Sequence, residues 1–351
     1  MKKVLLFKIW AIGDTLMTTP LIRQLRENFK NATIDYLIGK YSYGAINWNK
    51  YLDNIIKFDE KIFFEKNFKE WMKLIFKIRK RKYDIIFVLD KHWIFNLTAF
   101  LFGIKKRIGF DRCGEGKFLT YKVSYFGRKH EIFYYLDLLE GLGINPNYDD
   151  WQTEIFLNKN DLDFTEKFWK ENNLNNKVVV WICPGGARNI GVWDDNLRRW
   201  DTKNYIRLIK KLKEKWFEIL LIGGKTDKEI EEEILKEIKC TSAIGKTSLK
   251  ESAALLKKCD VVVCNDSGPM HLAASVNKKI VSILGPTHPS EKAPLHKESK
   301  YIWKQIGCNP CYDLWGGYPK PCPYKKKCLD IITVEEIFTK INLIINQWRT
   351  Y

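Results

Sequence analysis

Short apolar runs that end in Gly, Asn or Asp recur along the whole chain, with helix-like segments between them. A parallel sheet covered by helices produces this rhythm. Its strands are buried on both faces and so lose polar alternation, and each crossover needs the length of a helix. Residues 4–7 (VLLF) open the series, followed by a turn at Gly13 and a helix expected over 18–29. Residues 34–38, 55–58 and 85–89 continue it as strands. After an Asn-rich stretch at 171–176 (ENNLNN) the rhythm restarts at 178–182 (VVVWI) and turns at Gly185-Gly186. It then runs through 218–222 into Gly223-Gly224, through 260–264, and through 280–284 into Gly285-Pro286. The expected architecture is α/β, with two doubly wound domains at 1–172 and 177–334 and a C-terminal helix at 335–351 that packs back on the first domain. In open α/β sheets ligands bind outside the carboxyl ends of the strands. The Gly, Asn and Asp loops are therefore where a site belongs, and two such units facing each other would make a cleft.

A chain with 45% hydrophobic and 29% charged residues is neither disordered nor fibrous. Its 60 Lys and Arg against 42 Asp and Glu leave a net charge of +18, spread over both halves, which predicts an anionic partner such as phosphate. No run of 18 apolar residues is present, and Lys8 and Asp14 interrupt the apolar start, so the expectation is a cytoplasmic chain without a membrane span. Residues 61–82 stand apart, with nine basic and two acidic residues interleaved with Phe63, Phe64, Phe68, Trp71 and Phe76. Such a segment reads either as a basic amphipathic helix on an anionic membrane surface or as an ordinary surface helix with solvated lysines. The same features motivate a polyanion-binding reading. With no nucleic-acid module recognisable, nucleic acid is not an expected partner.

Residues 265–274 (NDSGPMHLAA) follow a strand and open a helix of small residues. Ser267, Gly268 and their neighbours would present free backbone N–H groups of the kind that hold phosphate, and Gly268 lets an oxygen-rich ligand approach. His271, one turn in, can donate to a phosphate or to a departing oxygen. A capping Asp or Ser with a packed histidine would use the same letters. Residues 11–20 (AIGDTLMTTP) repeat the strand–loop–helix setting, with Asp14 at the loop tip as a general base or as a helix cap. Cys308, Cys311, Cys322 and Cys328 have the spacing C-x2-C-x10-C-x5-C, and four thiolates suit tetrahedral Zn²⁺. The final interval is looser than that of a paired zinc ribbon, so loop packing or reversible thiol chemistry competes and no metal is assigned. The other cysteines, Cys113, Cys183, Cys240, Cys259 and Cys264, lie among apolar neighbours as small core residues do.

Taken in order, Ile12-Gly13-Asp14 with Thr18-Thr19-Pro20, then 266–274 (DSGPMHLAA), then 284–289 (LGPTHP) resemble the family nine glycosyltransferases, the ADP-heptose:lipopolysaccharide heptosyltransferases. Cys308-Asn309-Pro310-Cys311, Cys322-Pro323 and Cys328-Leu329 resemble the carboxy-terminal pattern of many members, particularly second heptosyltransferases. The resemblance implies a GT-B fold of two Rossmann-like domains, the first holding the acceptor and the second the ADP-sugar. It implies inverting transfer of heptose from ADP-heptose to the phosphorylated, Kdo-containing inner core of lipopolysaccharide, by a peripheral enzyme on the cytoplasmic face of the inner membrane. Asp14 is then the base that deprotonates the acceptor hydroxyl, with Gly13 beside it. The departing diphosphate is met by helix N-termini and cationic side chains, so the resemblance implies no cofactor and no metal; the ADP-sugar is a substrate.

By the same resemblance the donor's phosphates fall to Gly185, Gly186 and Arg188, to Arg198 and Arg199 of an Arg-x-Trp element, and to Asp266, Ser267, Gly268 and His271. Residues 189–196 depart from the family spacing and leave the choice among the three arginines open. Residues 223–227 (GGKTD) resemble the segment that holds the adenosine, which makes Asp227 either a ribose ligand or a helix cap. Asp90-Lys91-His92 falls where the family meets its acceptor, and Lys91 or Arg107 would face the anionic core sugars. The competing readings are transfer of a different nucleotide-activated sugar or to a different acceptor, a scaffold that lost activity, and a non-catalytic polyanion binder.

Overall fold

The computed structural model describes residues 2–186, 196–312, 315, 317 and 321–349. The chain divides into two compact units, Met1–Phe156 and Leu157–Tyr351. The first is built on the parallel strands β1 (Lys3–Lys8), β2 (Thr33–Gly39), β3 (Asn54–Phe58), β4 (Ile85–Val88), β5 (Lys106–Asp111) and β6 (Tyr121–Ser124). Their order is β3-β2-β1-β4-β5-β6, so the winding reverses between β1 and β4. The second unit carries β7 (Val179–Cys183), β8 (Glu218–Leu221), β9 (Thr241–Ser242), β10 (Val261–Asn265), β11 (Ile280–Ile283) and β12 (Lys300–Ile302), also parallel. Its order, β12-β11-β10-β7-β8-β9, reverses between β7 and β10. In each sheet the reversal opens a crevice at the carboxyl ends of two central strands, the usual ligand position in a doubly wound fold.

The α/β class is as expected, but each sheet has six strands where the apolar runs marked four. The additional strands lie at or toward sheet edges. β6 (YKVS), β9 (TS) and β12 (KYI) keep exposed or half-exposed polar positions, and β5 starts on Lys106-Arg107, so no continuous apolar run announces them. The helix expected over 18–29 is present as Thr19–Asn28, with Pro20 in its first turn, and a separate short helix, Ile12–Met17, precedes it.

The division falls at Phe156–Leu157 rather than at 172–177, because the helix Lys159–Glu171 packs on the helix Leu249–Lys258 of the second unit, where Lys258 pairs with Glu166 at 2.5 Å. The terminal helix is Val334–Arg349. It lies on the helix Thr202–Glu214, and Ile337, Ile341 and Ile344 join the core of the second unit. One face of the first sheet has an aromatic core: Phe7 at the centre meets Phe58, Phe63, Phe95 and Phe102 with ring centroids 5.7–6.4 Å apart.

Candidate active site

In the first unit the crevice between β1 and β4 is lined by charge. Lys8, the last residue of β1, is buried and paired with Asp90 just beyond β4, and Asp90 also accepts the Ile9 N–H at 2.6 Å. Taking two charges out of water is costly unless they pair and fill their remaining hydrogen bonds, and here they do both. From β1 the chain passes through Ala11 in the left-handed region (φ 70°) into the helix Ile12–Met17, which places the half-buried Asp14 in its first turn above the buried Gly13. Thr15 follows, buried, and its Oγ1 has no hydrogen-bond partner among the described residues. A buried hydroxyl left open beside the crevice is what a polar ligand would satisfy. Nothing in the sequence separated Thr15 from a helix-forming threonine.

Lys91 reaches the buried Glu131 with Nζ 2.9 Å from both carboxylate oxygens, and its ammonium lies 4.2 Å from the centre of the Tyr125 ring. The Tyr125 hydroxyl donates to the same carboxylate. Nearby, burial raises the Tyr135 hydroxyl well above the usual tyrosine range, with the negative charges of Asp14, Glu131 and Asp90 adding to the effect. Tyr135 therefore stays protonated at neutral pH, among three carboxylates.

Arg107 is a correction. It is the second residue of β5, at the amino end of the strand and thus at the opposite edge of the sheet from the crevice. Its guanidinium donates to the carbonyls of Phe118 (2.6 Å), Ile104 (2.5 Å) and Lys105 (3.0 Å) and lies over the Phe100 ring. Arg107→Ala is therefore expected to destabilise the first unit by about 1–3 kcal/mol while leaving the KM for acceptor unchanged, as thermal melts and initial rates would show. The arginine at the carboxyl end of β5 is Arg112, which is buried and bonded to Glu115 at 2.6 Å.

In the second unit the loops after β7 and β10 are locked together through one side chain. Asn265, the last residue of β10, is fully buried. Its Oδ1 accepts from the Trp200 N–H (3.0 Å) and the Tyr205 hydroxyl (2.9 Å), and its Nδ2 donates to the carbonyls of Pro184 (3.0 Å) and Gly185 (3.2 Å). Gly186 takes a left-handed φ of 86°, and a Cβ there would stand 2.6 Å from Ser267 Oγ, so only glycine brings this backbone against the β10 loop. Asp266 and Ser267 are buried, and Ser267 N-caps the helix Gly268–Ala274 that carries the half-buried His271. Arg199 donates from Nε to the Gly186 carbonyl at 2.7 Å, and Arg198 stands 3.9 Å from Asp266. The structure thus gathers Gly185, Gly186, Arg198, Arg199, Asp266, Ser267 and Gly268 around one crevice. Arg188 lies outside the described residues.

Asp227, expected as a ribose ligand or a helix cap, lies between the two glycine loops. It is buried and accepts the N–H groups of Gly186 (3.3 Å) and Gly224 (2.8 Å). A Cβ on Gly185 would fall 2.2 Å from its Oδ1. It brackets the two glycine loops.

The four late cysteines do converge. All are free, and they line one apolar pocket with Leu197, Pro286, Ile306 and Tyr324. Burial, with neighbouring thiols adding, pushes Cys328 up to about 11 and raises Cys311. Those two are protonated thiols at neutral pH. Among the described residues no group of three or more His, Cys, Asp or Glu stands where it would hold a metal ion.

The sequence profile of "Glycosyltransferase family 9 (heptosyltransferase)" matches residues 71–315. The lipooligosaccharide heptosyltransferase 2 of Campylobacter jejuni is 27% identical over 348 residues, covering 95% of this chain and 96% of that protein. Among solved structures, the ADP-heptose LPS heptosyltransferase II of E. coli superposes with a TM-score of 0.77 at 23% identity, covering 99% of this chain and 100% of that one. A family 9 glycosyltransferase of Veillonella parvula gives 0.79 at 20% identity, covering 99% and 97%. The two structures share the fold, with its paired parallel sheets and flanking helices; the profile, spanning well over half of the chain, carries the assignment. The chain belongs to glycosyltransferase family 9 and is a sugar-transferring enzyme of the GT-B fold.

Proposed function

We propose that this enzyme moves heptose from ADP-heptose to the inner core of lipopolysaccharide or lipooligosaccharide, with inversion, at the cytoplasmic face of the inner membrane. The observation that carries the reading is the occupancy of both reversal points: Asp14 follows β1 in the first unit, and the Gly186–Ser267 contact joins the two central-strand loops of the second. The full-length relative is itself a heptosyltransferase. In the proposed step, Asp14 takes the proton of the acceptor hydroxyl as that oxygen bonds to the anomeric carbon. The bond from that carbon to the β-phosphate oxygen breaks, and its electron pair leaves on ADP. Arg198, Arg199 and the N–H groups of the Gly186 and Ser267 loops offset the charge that builds on the diphosphate. Lys91 orients the acceptor from its seat on Glu131. No metal enters the step.

Mixing purified protein with ADP-heptose and a Kdo-lipid A type acceptor tests this. ADP release should require both substrates. ADP release from another nucleotide sugar, with none from ADP-heptose, would replace the donor assignment and leave the fold and family in place.

A further inference from the structure

The basic segment at 61–82 separates into an inward and an outward part. Phe63 packs edge-on against Phe95 at 5.1 Å, Phe64 lies 4.6 Å from Trp10, and Trp71 donates from Nε1 to Thr98 at 3.0 Å, so these aromatics belong to the first unit's interior. The helix Phe68–Arg79 buries Leu74, Ile75 and Ile78 beneath it. Phe68 and Phe76, two turns apart, stand on another side, 66% and 56% exposed, while Met72 between them is half-buried and packs on the core. Lys69, Lys73, Lys77 and Lys80 run beside the two phenylalanines, all exposed. Among the described residues, ion pairs in the segment join Lys61 to Glu65, Lys73 to Glu70 and Arg81 to Asp35. Among the described residues no carboxylate pairs with Lys66, Lys69, Lys77 or Lys80.

We infer that this helix face docks the enzyme onto an anionic lipid surface, with Phe68 and Phe76 entering the interface and the unpaired lysines meeting the phosphates. The choice of lipid is argued from charge complementarity and from the side chains. A protruding apolar pair flanked by cations suits a plane with a hydrocarbon interior beneath an anionic face. Phosphate backbones alone would be met by the lysines and would leave two exposed phenylalanines without a role. The inference deepens the proposed function, since it rests on the acceptor being lipid-linked, yet it is measured without either substrate.

The test is co-sedimentation with phosphatidylcholine vesicles with and without phosphatidylglycerol. Wild type should bind only the mixed vesicles. Replacing Lys66, Lys69, Lys77 and Lys80 by Gln should weaken binding several hundred-fold, from about fivefold per basic side chain near an anionic surface. Phe68→Ser with Phe76→Ser should weaken it as well, while ADP release with a water-soluble acceptor stays at the wild-type level in both variants. Vesicle binding undiminished in both variants, or wild type indifferent to phosphatidylglycerol, overturns the inference. So does a variant that keeps vesicle binding and loses only affinity for duplex nucleic acid. A wild type that binds vesicles yet releases no ADP from ADP-heptose would sink the proposed function and leave the docking face standing.

Discussion

Asp14→Asn should lower kcat by about 10²–10⁴-fold, the usual contribution of a positioned base, with the melting temperature and the KM for donor close to wild type. Three carboxylates surround the buried Tyr135, and two of them are committed to cations. Asp90 is paired with Lys8 and accepts a backbone N–H, and Glu131 is gripped by Lys91 and Tyr125. Tyr135 itself is held protonated by burial and by these charges. Asp14, half-buried in the first turn of the helix after β1, is the carboxylate that the family resemblance assigns to the base. The N-cap of the helix is Ala11, and Asn fills the same space as Asp14 in its first turn, so a purely structural role predicts an almost unchanged enzyme. Rapid-quench rates at saturating substrate separate the two: wild-type turnover in Asp14→Asn would remove Asp14 as the base.

The central strands were legible in the sequence because burial on both faces leaves uninterrupted apolar runs, and the loops that end them were legible from Gly, Asn and Asp. Edge strands such as Thr241–Ser242 have no such signature, since their pairing is decided by neighbours distant in sequence. The same limit explains Arg107, which the motif order placed near the acceptor: β5 begins one residue before it, and spacing alone does not say which end of a strand faces the crevice. Asp227 shows another limit. A ribose ligand and a loop bracket use the same letter, and the difference is set by how closely Gly185 and Gly223 approach the carboxylate, a fact of packing. Asn265 carried no special mark in its motif, although four hydrogen bonds meet there.

Those four bonds make Asn265→Ala the substitution expected to cost the second unit most. Removing the amide leaves the Trp200 N–H and the Tyr205 hydroxyl without their acceptor and the Pro184 and Gly185 carbonyls without their donor, all in a dry interior. At about 1–3 kcal/mol for each buried group left unsatisfied, and with partial relaxation, the loss should be roughly 4 kcal/mol, a large share of a domain's stability. For a unit of this size that lowers the melting temperature by about 10 °C. The effect should extend to the ligand, because the carbonyls released are those that set the backbone of Gly185 and Gly186, which in turn fixes the Arg199 bond to Gly186 and the contact with Ser267. Calorimetric titration should therefore find ADP bound at least about tenfold more weakly, by the usual cost of misplacing preorganised donors. Asn265→Ala melting with wild type but binding ADP weakly would make the residue a ligand contact. Lower stability with undiminished ADP affinity would show that the loop keeps its shape without the clamp.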